Sequence, residues 1–530
     1  HAAGPPALQA ARTIVQSALI MLPAPMIVAI RVDASVEIGA GHVMRCLTLA
    51  DGLAAAGATV HFLCRPHAGR LGGLSERRGH VLHLLPAPEK VGPDAGVYGA
   101  WLGDTLAGDC RATGDLLSRL RPEWLVVDHY ALDASWQKPL RQWARRILVI
   151  DDLADRDHDC DILLDQNFYR DAGQRYGTRV SSRCTQLLGP RYALLRPEFC
   201  SERAVPRGRD GRVRRVLVAF GGMDRDDYTS RFLAGLPASA QTLEFDVVIG
   251  ASHPRRAALS AFCDTRPNMA LHVQSSRMAE LMQAADLAVG ASGTSNWERF
   301  CIGVPTIAAA VAENQAPLLH DLMLEGALLG VALETPDAIG DCLRLFEYAR
   351  HQPSLLRGLA EKGRRMVDGK GMARVLRRML TPEIALRLVT AQDCRPIFEW
   401  RNDPRARAHA HDSSPLAFSS HARWFEAVLA DPDRVMLIAT TASESAAVVR
   451  FDCAGSSATI SIYLVPDMHG RALGPAVIRQ ASDWLLAERP EIERVLAEVK
   501  PENQASAQAF GEAGYALQYQ TFVLRRTSND

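Results

Sequence analysis

The chain has 530 residues, which is the length of about three ordinary domains. Its 60 Lys and Arg residues are balanced by 60 Asp and Glu residues, and this zero net charge gives no sign of a nucleic-acid or membrane surface. Eleven cysteines are scattered with no Cys-x-x-Cys pair and no Cys/His cluster, which favours reduced thiols in the cytoplasm and argues against structural zinc.

Residues 1–25 have a composition unlike the rest of the chain. Their apolar run, Thr13–Leu22, is too short to span a bilayer. Arg12 before this run and Ala-Pro after it are compatible with a signal peptide, but the first strand begins directly at Met26 and the cysteine usage argues against export. We therefore expect residues 1–25 to be an N-terminal extension outside the fold.

The first predicted unit is a strand, a glycine-rich turn and a helix. Met26–Ile30 is a β-branched run typical of a buried parallel strand, and apolar residues recur at helical spacing over Val43–Leu53. Gly39 and Gly41 allow the turn to approach a ligand closely, and the free N–H groups of the helix start favour an anion. His42 in this place is a candidate general base. On these features alone, a purely structural turn is an equally good interpretation.

Strands and helices then alternate to about residue 200, which indicates a doubly wound parallel sheet. Further strands are predicted at Ala58–Cys64, Trp124–Asp128, Arg146–Ile150 and from Ile162 to Leu164. Open α/β sheets bind ligands at the carboxyl ends of their strands, where Asp128, Tyr130, Asp151 and Asp152 lie. Asp151 and Asp152, each taken singly, are interpreted as helix caps.

A second α/β unit follows the basic, glycine-containing linker Pro206–Arg215. Its strands are predicted at Arg215–Phe220, Leu243–Ile249 and Asp286–Gly290. The first strand runs into Gly221 and Gly222, and the last ends in a small polar turn that opens a helix, an arrangement suited to an anion. The residues of this turn are Ser292, Gly293, Thr294, Ser295 and Asn296. Two such halves in tandem form a cleft between domains.

The segment from Gly293 through Glu298 to Gly303-Val-Pro305 resembles the nucleotide-sugar signature of the GT-B glycosyltransferases. The family binds the ribose hydroxyls of UDP with a glutamate, and Glu298 matches it. Glu313, Asn314 and Gln315 fall where those enzymes place polar residues that face the sugar and the diphosphate. The resemblance therefore implies a UDP-binding half.

A more specific resemblance covers roughly residues 26–375. The motif Arg31-x-Asp-x-Ser…Ile-Gly-x-Gly-His-x-x-Arg45, with Asp128-His-Tyr130, Asp159–Leu164 and Asp368–Gly371, resembles the UDP-sugar hydrolases of pseudaminic acid biosynthesis. That family releases UDP from a diacetamido-trideoxy-altrose by cleaving the anomeric C–O bond, and its histidine activates the attacking water. The scheme needs no metal, and no metal-ligand spacing is present here.

The hydrolase resemblance implies a catalytic role for His42 and a set of substrate-binding residues. These are Asp33, Gly39, Gly41, Arg45, Tyr130, Gly221, Gly222, Ser292, Gly293, Thr294, Ser295, Asn296, Glu298, Asn314 and Gln315. Tyr130 and Asn296 suit sugar hydroxyls, although a satisfied core phenol and a capping amide are equally good interpretations of the two residues.

A third strand, glycine-rich turn and helix lie near the C-terminus. Strands are predicted at Ile384–Val389, Arg434–Thr440, Ala446–Asp452 and Ile460–Val465, and helices at Asp393–Asp403 and Ala476–Glu488. The turn Pro466–Gly474 joins the last strand to the last helix, which again suits a pyrophosphate.

This C-terminal segment resembles the GNAT N-acetyltransferases. Its turn, His469-Gly-Arg-Ala-Leu-Gly474, departs from the family signature at His469 and Ala472, whereas Pro501–Tyr515 matches the later motif better. The resemblance implies that acetyl-CoA is bound by Leu464, Val465, Gly470, Arg471, Ala472, Leu473, Gly474, Asn503 and Ser506. Phe510 stands where many relatives carry a tyrosine that acts as the general acid. Its presence puts a general acid at this position in doubt. His421 and His469 are interpreted as solvated surface histidines, with a base role as the alternative.

The two resemblances support each other, because in the pseudaminic acid pathway a 4-amino UDP-sugar is acetylated and the product is then hydrolysed. The predicted organisation is an extension (1–25), two Rossmann-like halves of GT-B type (26–205 and 206–380) and a GNAT domain (384–530). The expected ligands are a UDP-sugar and acetyl-CoA, with no metal, nucleic acid or membrane. The alternatives are a GT-B glycosyltransferase with an accessory GNAT domain, and a hydrolase with a degenerate acyl-CoA-binding domain. The oligomeric state is not predicted.

Overall fold

The computed structural model describes residues 26–35, 38, 41–67, 73–87, 96–205, 207–332, 337–381, 384–407, 414–441, 444–469 and 473–518. The prediction for residues 1–25 falls outside these ranges, as do the site predictions for Gly39, Gly470, Arg471 and Ala472. The chain divides into two compact units, of which the first ends at Leu376 and the second begins at Arg377.

Seven described strands form the first sheet, and all neighbours in it are parallel. The strands are β1 (Met26–Val32), β2 (Ala58–Cys64), β3 (Val81–Leu84), β4 (Trp124–Asp128), β5 (Arg146–Ile150), β6 (Ile162–Asp165) and β7 (Thr185–Leu188). The helices are α1 (Gly41–Ala55), α2 (Leu74–Arg77), α3 (Gly96–Leu102), α4 (Leu106–Leu120), α5 (Ala134–Leu140), α6 (Ala172–Arg175) and α7 (Pro197–Ala204). The central strands are almost wholly apolar because helices cover both faces of such a sheet.

Six described strands form the second sheet of this unit, again all parallel. The strands are β8 (Arg215–Ala219), β9 (Glu244–Ile249), β10 (Met269–Val273), β11 (Leu287–Ala291), β12 (Thr306–Ala309) and β13 (Leu329–Val331). The helices are α8 (Tyr228–Ala234), α9 (Arg256–Asp264), α10 (Met278–Ala284), α11 (Ser295–Ile302), α12 (Ala316–Leu324), α13 (Ala338–Ala349), α14 (Pro353–Met366) and α15 (Gly371–Leu380). Single 3₁₀ turns lie at Pro190–Tyr192, Ala238–Thr242 and Glu313–Gln315.

Both sheets reverse their strand order at one place. The first has the order β3-β2-β1-β4-β5-β6-β7 and the second β10-β9-β8-β11-β12-β13. The chain therefore moves outward from β1 and returns to β4 beside it, and it does the same at β8 and β11. A crevice forms at the carboxyl ends of the strands at such a switch point. The start of α1 thus lies beside the end of β4, and the turn after β8 lies beside the end of β11.

The two halves of the first unit share an apolar core. Phe199 of α7 belongs to the same buried cluster as Trp297 of α11. The last segment of the unit, the part of α15 up to Leu376, returns to the first half, because a methyl group added to Gly52 of α1 would meet Met372 and Leu376. Neither half therefore completes its packing without segments of the other.

The second unit is built on a mixed sheet of five described strands. They are β14 (Ala385–Leu388), β15 (Arg434–Thr441), β16 (Glu444–Ala454), β17 (Ser457–Leu464) and β18 (Arg494–Ala497), in that order across the sheet. Only the β17–β18 pair is parallel. The helices are α16 (Cys394–Asn402), α17 (Pro404–Arg407), α18 (Phe418–Ala430), α19 (Gly474–Glu488) and α20 (Gln504–Glu512), with 3₁₀ turns at Ala391–Asp393 and Pro466–Met468.

The predicted fold class is confirmed: two parallel α/β sheets precede an α/β domain with a mixed sheet. The sequence pattern did not indicate β3, β7, β10, β12, β13 or β18, because these strands are three to five residues long and most are only partly buried. Among the described residues, no helix is both long enough and apolar enough to cross a membrane.

Gly290 provides a test of the close approach between β8 and β11. A Cβ at Gly290 would lie 2.0 Å from the carbonyl oxygen of Ala219, so Gly290→Ala must push the strands apart. We expect the free energy of unfolding, measured with urea, to fall by about 1–3 kcal/mol. The control is Gly358→Ala in α14, where an added methyl meets nothing within 4 Å and should stabilise by about 0.5–1 kcal/mol. If the urea midpoint of Gly290→Ala equalled that of the wild type, the close approach of β8 and β11 would be contradicted.

Candidate functional site

His42 lies at the first switch point, against the end of β4. It is the second residue of α1, and its Nδ1 lies 2.6 Å from Oδ1 of Asp128, the last residue of β4. An ionised carboxylate only accepts hydrogen bonds, so this contact requires the imidazole proton on Nδ1. In the neutral form of the ring, the lone pair is then on Nε2. The pair has the geometry of a general base that is oriented by a carboxylate.

The Asp128 carboxylate is almost fully buried and is surrounded by donors. Nε and Nη2 of Arg45 each donate to it at 2.6 Å, and the Cys46 thiol donates at 3.4 Å. Burial by itself would raise the pKa of Asp128, but Arg45 and His42 outweigh it and hold that pKa well below its usual range. Arg45 also donates to Asp152 at 3.3 Å. Its guanidinium is thus engaged by two carboxylates, and its predicted contact with substrate stays a prediction.

Asp152 connects this pair to the second half of the unit. Its Oδ1 accepts the Tyr130 hydroxyl at 2.6 Å, and its Oδ2 accepts the Asn167 amide at 3.2 Å. Oδ1 of Asn167 in turn accepts the indole N–H of Trp297, which belongs to α11, at 3.2 Å. A chain of polar contacts therefore runs from the first switch point to the helix at the second.

The interpretation of Asp151 and Asp152 as helix caps is wrong. Asp151 pairs with Arg156 at 2.7 Å and accepts the Tyr176 hydroxyl at 3.0 Å. No helix follows either residue directly, and both serve as acceptors for side chains that the fold brings from elsewhere.

An aromatic wall stands beside His42. The centre of the Tyr130 ring lies 4.7 Å from that of the His42 ring, which it meets edge-on. The centres of the Trp101 and Tyr98 rings lie 5.7 and 5.1 Å from it, and the Trp101 ring is stacked on Tyr130. Tyr130 is almost fully buried with its hydroxyl satisfied by Asp152. This is the geometry of the satisfied phenol, and a contact of Tyr130 with a sugar hydroxyl stays a prediction. Tyr98 and Trp101 were not identified from the sequence.

Asp33, predicted to bind substrate, lies within a buried charged network. Its Oδ2 is 2.7 Å from Nη1 of Arg31, and its Oδ1 accepts the backbone N–H of Arg65 at 2.7 Å. Asp109 accepts from both arginines, at 2.7 and 2.8 Å. Burial tends to raise the pKa of Asp33, but Arg31 outweighs it and the pKa lies well below its usual range. The Asp33 side chain has no exposed surface, so it supports the end of β1 from within.

The second switch point carries the two predicted nucleotide turns. Gly221 adopts a φ of 112°, a left-handed conformation that favours glycine, and both Gly221 and Gly222 are exposed. A methyl at Gly293 would lie 3.8 Å from Nε2 of Gln315, so these two predicted residues are neighbours. Thr294 and Asn314 are exposed. The fold thus brings these predicted residues to one edge of the second sheet, as it brings Gly41 and His42 to the edge of the first.

The remaining predicted residues of this turn are held inside it. Asn296 and Ser292 are fully buried, and the Asn296 amide donates to the Ser292 hydroxyl at 3.2 Å. Oδ1 of Asn296 and Oγ of Ser295 both accept from Nη2 of Arg299. This is the arrangement of a structural amide, so Asn296 would reach a sugar only after rearrangement.

Glu298 remains partly exposed in the first turn of α11. Its Oε1 lies 3.5 Å from Nη2 of Arg196, a residue of the first half of the unit. Burial raises the pKa of Glu298 above its usual range, and Arg196 opposes this shift. The carboxylate therefore stands at the cleft with a cation beside it, as a ligand for ribose hydroxyls would.

One described group of side chains, Asp224, Asp227 and His253, has ligand atoms close enough together to hold a metal ion. These side chains already have protein partners. Asp224 accepts the backbone N–H groups of Tyr228 and Thr229 at the start of α8, and Asp227 pairs with Arg255 at 3.4 Å. The absence of a metal stays a prediction.

In the second unit, β17 extends beyond its parallel partner. The β17–β18 pairing covers Ser457–Ile460, and β17 continues to Leu464. The backbone groups of its last residues on that side have no strand partner among the residues described, and they are free to bind an extended ligand that carries amides. Leu464 and Val465, predicted to bind acetyl-CoA, lie at this opening. Leu473 and Gly474 follow at the start of α19. This helix has 15 residues, and its N-terminus is suited to a phosphate.

The later GNAT motif forms the start of α20. Oδ1 of Asn503 accepts the backbone N–H of Ser506 at 3.1 Å and so caps this helix. Phe510 is buried in the core of the unit against Tyr515, whose hydroxyl contacts Ser482 at 2.7 Å. Phe510 has no hydroxyl group, and the hydroxyl group of Tyr515 is engaged by Ser482.

The interpretation of His421 as a surface histidine is wrong. Its side chain is buried, and Nε2 donates to the carbonyl oxygen of Cys394 at 3.2 Å. Burial lowers the pKa of His421 below its usual value. His469 is exposed, as expected.

The C-terminal region matches a family model. Residues 383–516 match the acetyltransferase (GNAT) domain. The preceding region is 30% identical over 191 residues to the spore coat polysaccharide biosynthesis protein SpsG of Bacillus subtilis, an alignment that covers 35% of this chain and 56% of that protein. The chain thus spans little more than half the length of that relative.

A second relative is aligned over more of its length. The UDP-2,4-diacetamido-2,4,6-trideoxy-beta-L-altropyranose hydrolase of Campylobacter jejuni is 26% identical over 275 residues, which covers 51% of this chain and 87% of that protein. Among solved structures, MurG of Acinetobacter baumannii is similar at 15% identity with a TM-score of 0.46, over 67% of this chain and 99% of that one. The chain therefore ends in a GNAT domain, preceded by a region similar to a UDP-sugar hydrolase.

Proposed function

We propose that this chain is a bifunctional nucleotide-sugar enzyme of pseudaminic acid biosynthesis. Its GNAT domain acetylates the 4-amino group of a UDP-sugar with acetyl-CoA. Its first unit then hydrolyses UDP-2,4-diacetamido-2,4,6-trideoxy-beta-L-altropyranose to UDP and the free sugar. The observation that carries the proposal is the His42–Asp128 pair at the first switch point, in a region similar to such a hydrolase. We further propose a cytoplasmic location, which the scattered cysteines favour.

In the proposed hydrolysis, a water oxygen attacks the anomeric carbon while its proton moves to Nε2 of His42. The anomeric C–O bond breaks, and UDP leaves with the electron pair. Asp128 keeps the proton on Nδ1 and stabilises the imidazolium that forms, while Arg45 fixes the carboxylate from its other side.

UDP would lie at the second switch point. The N–H groups at the start of α11 and the turn at Gly221 would receive the diphosphate, whose negative charge grows as the bond breaks. Glu298 would accept the ribose hydroxyls. Support for this placement comes from the shared edge of Gly221, Gly222, Gly293 and Gln315 and from the partial exposure of Glu298.

In the proposed acetylation, the amine nitrogen of the sugar attacks the thioester carbonyl of acetyl-CoA. The C–S bond breaks, coenzyme A leaves with the electron pair as a thiolate, and the proton that the amine loses ends on that sulfur to give the free thiol. The GNAT match and the opening at the end of β17 support acetyl-CoA as the donor. The deciding experiment is to incubate the full chain with candidate UDP-4-amino-sugars and acetyl-CoA and to identify the products by mass spectrometry.

His42→Gln should stop the sequence of reactions after its first step. Loss of a positioned base typically costs about 10²–10⁴ in rate. With acetyl-CoA and the 4-amino UDP-sugar, we expect the variant to accumulate the acetamido UDP-sugar, while UDP release falls by that factor. The control is His61→Gln, a partly exposed histidine of β2 that pairs with His83. More than a tenth of wild-type UDP release would remove His42 from the base role.

Asp128→Asn should slow hydrolysis without weakening UDP binding. An amide would no longer favour the tautomer with Nδ1 protonated, so we expect kcat for UDP release to fall by about 10²–10⁴. Asp159→Asn is the matched control, because Asp159 pairs with Arg141 at a partly exposed place in the same half. Calorimetry measures the affinity for UDP, and thermal unfolding shows that each variant is folded. A kcat close to that of the control would show that Asp128 does not orient the base.

The two activities should act in order. The hydrolase pocket would have to bury an ammonium group in place of an acetamide, which is costly without a partner. Without acetyl-CoA, the wild-type chain should therefore release UDP from the 4-amino sugar more slowly than from the acetamido sugar. Equal rates on the two substrates would show that the hydrolase does not distinguish them, and the ordered scheme would fail.

A further inference from the structure

Arg299 carries a guanidinium charge that is buried beneath the second switch point. Only 2% of its surface is exposed. It is the fifth residue of α11, and its side chain reaches back over the first turn of that helix. Nη2 donates to the carbonyl oxygen of Ala291 at 2.6 Å and to Oδ1 of Asn296 at 2.7 Å, and Nε donates to the carbonyl oxygen of Ser295 at 3.3 Å. All of these acceptors are uncharged.

Arg299 forms no ion pair within the described part of the chain. The adjacent acid, Glu298, pairs instead with Arg196. Burial lowers the pKa of Arg299 to about 10, and Glu298 opposes this shift, so the guanidinium is protonated at neutral pH. A buried charge without a partner is costly, and the positive end of the α11 dipole adds to that cost. An anion bound at the turn would relieve both.

The guanidinium lies behind both turns of the switch point. A methyl at Gly290 of β11 would be 2.0 Å from the carbonyl oxygen of Ala219, the last residue of β8, and 3.2 Å from Nη1 of Arg299. Nη1 thus lies near the ends of β8 and β11, which the chain leaves toward Gly221 and Ser292. Among the residues described, Nη1 donates no hydrogen bond.

We propose that Arg299 is the counter-charge for the diphosphate of the nucleotide and positions the turn that binds it. The inference rests on the proposed function, which places a nucleoside diphosphate at this turn. Arg299 acts from behind: it binds the oxygens of Ala291 and Asn296, so the turn presents N–H groups to the ligand, and it adds a positive charge beneath them. It is a positioning residue and does not touch the reacting atoms.

Arg203 provides a matched control. It donates to the carbonyl oxygens of Cys301 and Val367, at 2.8 and 3.0 Å, and therefore holds the opposite end of the same helix through uncharged acceptors. A variant of Arg203 loses arginine–carbonyl bonds at α11 without changing the charge beneath the turn.

The test compares Arg299→Gln, Arg299→Lys and Arg203→Gln in the full chain. Calorimetry gives the affinity for UDP and for uridine, which lacks the phosphates. We expect Arg299→Gln to lose about 10- to 100-fold in UDP affinity with little change for uridine, the effect of one charge-assisted interaction. Arg299→Lys, which keeps a charge, should retain most of the preference for UDP over uridine, and Arg203→Gln should retain all of it.

The pH dependence of Arg299→Lys supplies a second measurement that does not need the Gln variant to fold. A buried lysine loses its proton at lower pH than arginine does. The UDP-to-uridine affinity ratio of this variant should therefore fall between pH 7 and 9, a range in which the wild-type guanidinium stays protonated and the wild-type ratio should not change.

Two results would overturn the proposal while leaving the proposed function intact. One is equal UDP affinity of the Gln and Lys variants, and the other is a ratio for Arg299→Lys as independent of pH as that of the wild type. If the wild-type chain bound neither UDP nor uridine, the proposed function would fail, and the role of Arg299 would fail with it.

Discussion

The buried carboxylate of Asp128 is the interaction on which the first switch point depends. Asp128 is the last residue of β4. It accepts hydrogen bonds from His42, at the start of α1, and from Arg45, one turn further along the same helix. A carboxylate in this place would be costly without both donors, and each donor would lose its orientation without the carboxylate. The three residues therefore fix the pairing of β1 with β4, the first turn of α1 and the free nitrogen of His42 at once.

Much of this arrangement could be predicted from the sequence. The β-branched strands, the glycine turns and the alternation with helices indicated parallel sheets, and the rule that ligands bind at strand ends pointed to Asp128. Glu298 came from the resemblance to the GT-B signature. What the pattern lacked was the strand order. Once β4 returns beside β1, Asp128 must lie against the helix that carries His42, and that return is a matter of topology rather than of local sequence.

The rest of the site was beyond sequence reasoning for a physical reason: burial decides what a polar side chain does, and local spacing carries little information about burial. Asp33 and Asn296 are residue types that often bind substrate, yet the fold buries both side chains. His421 has the pattern of a surface histidine but lies under the α16–α18 contact. Tyr98 and Trp101 come from a helix with no motif, and only the assembled fold brings them beside His42.

The shared core of the first unit bears on how the chain folds during synthesis. Phe199 is buried against α11, and α1 is covered at Gly52 by residues as late as Leu376. The first sheet therefore leaves the ribosome well before the segments that cover it, with apolar surface exposed for the time needed to translate the second half. Folding of this unit must end after Leu376 has emerged, and until then its early helices are a natural target for chaperones.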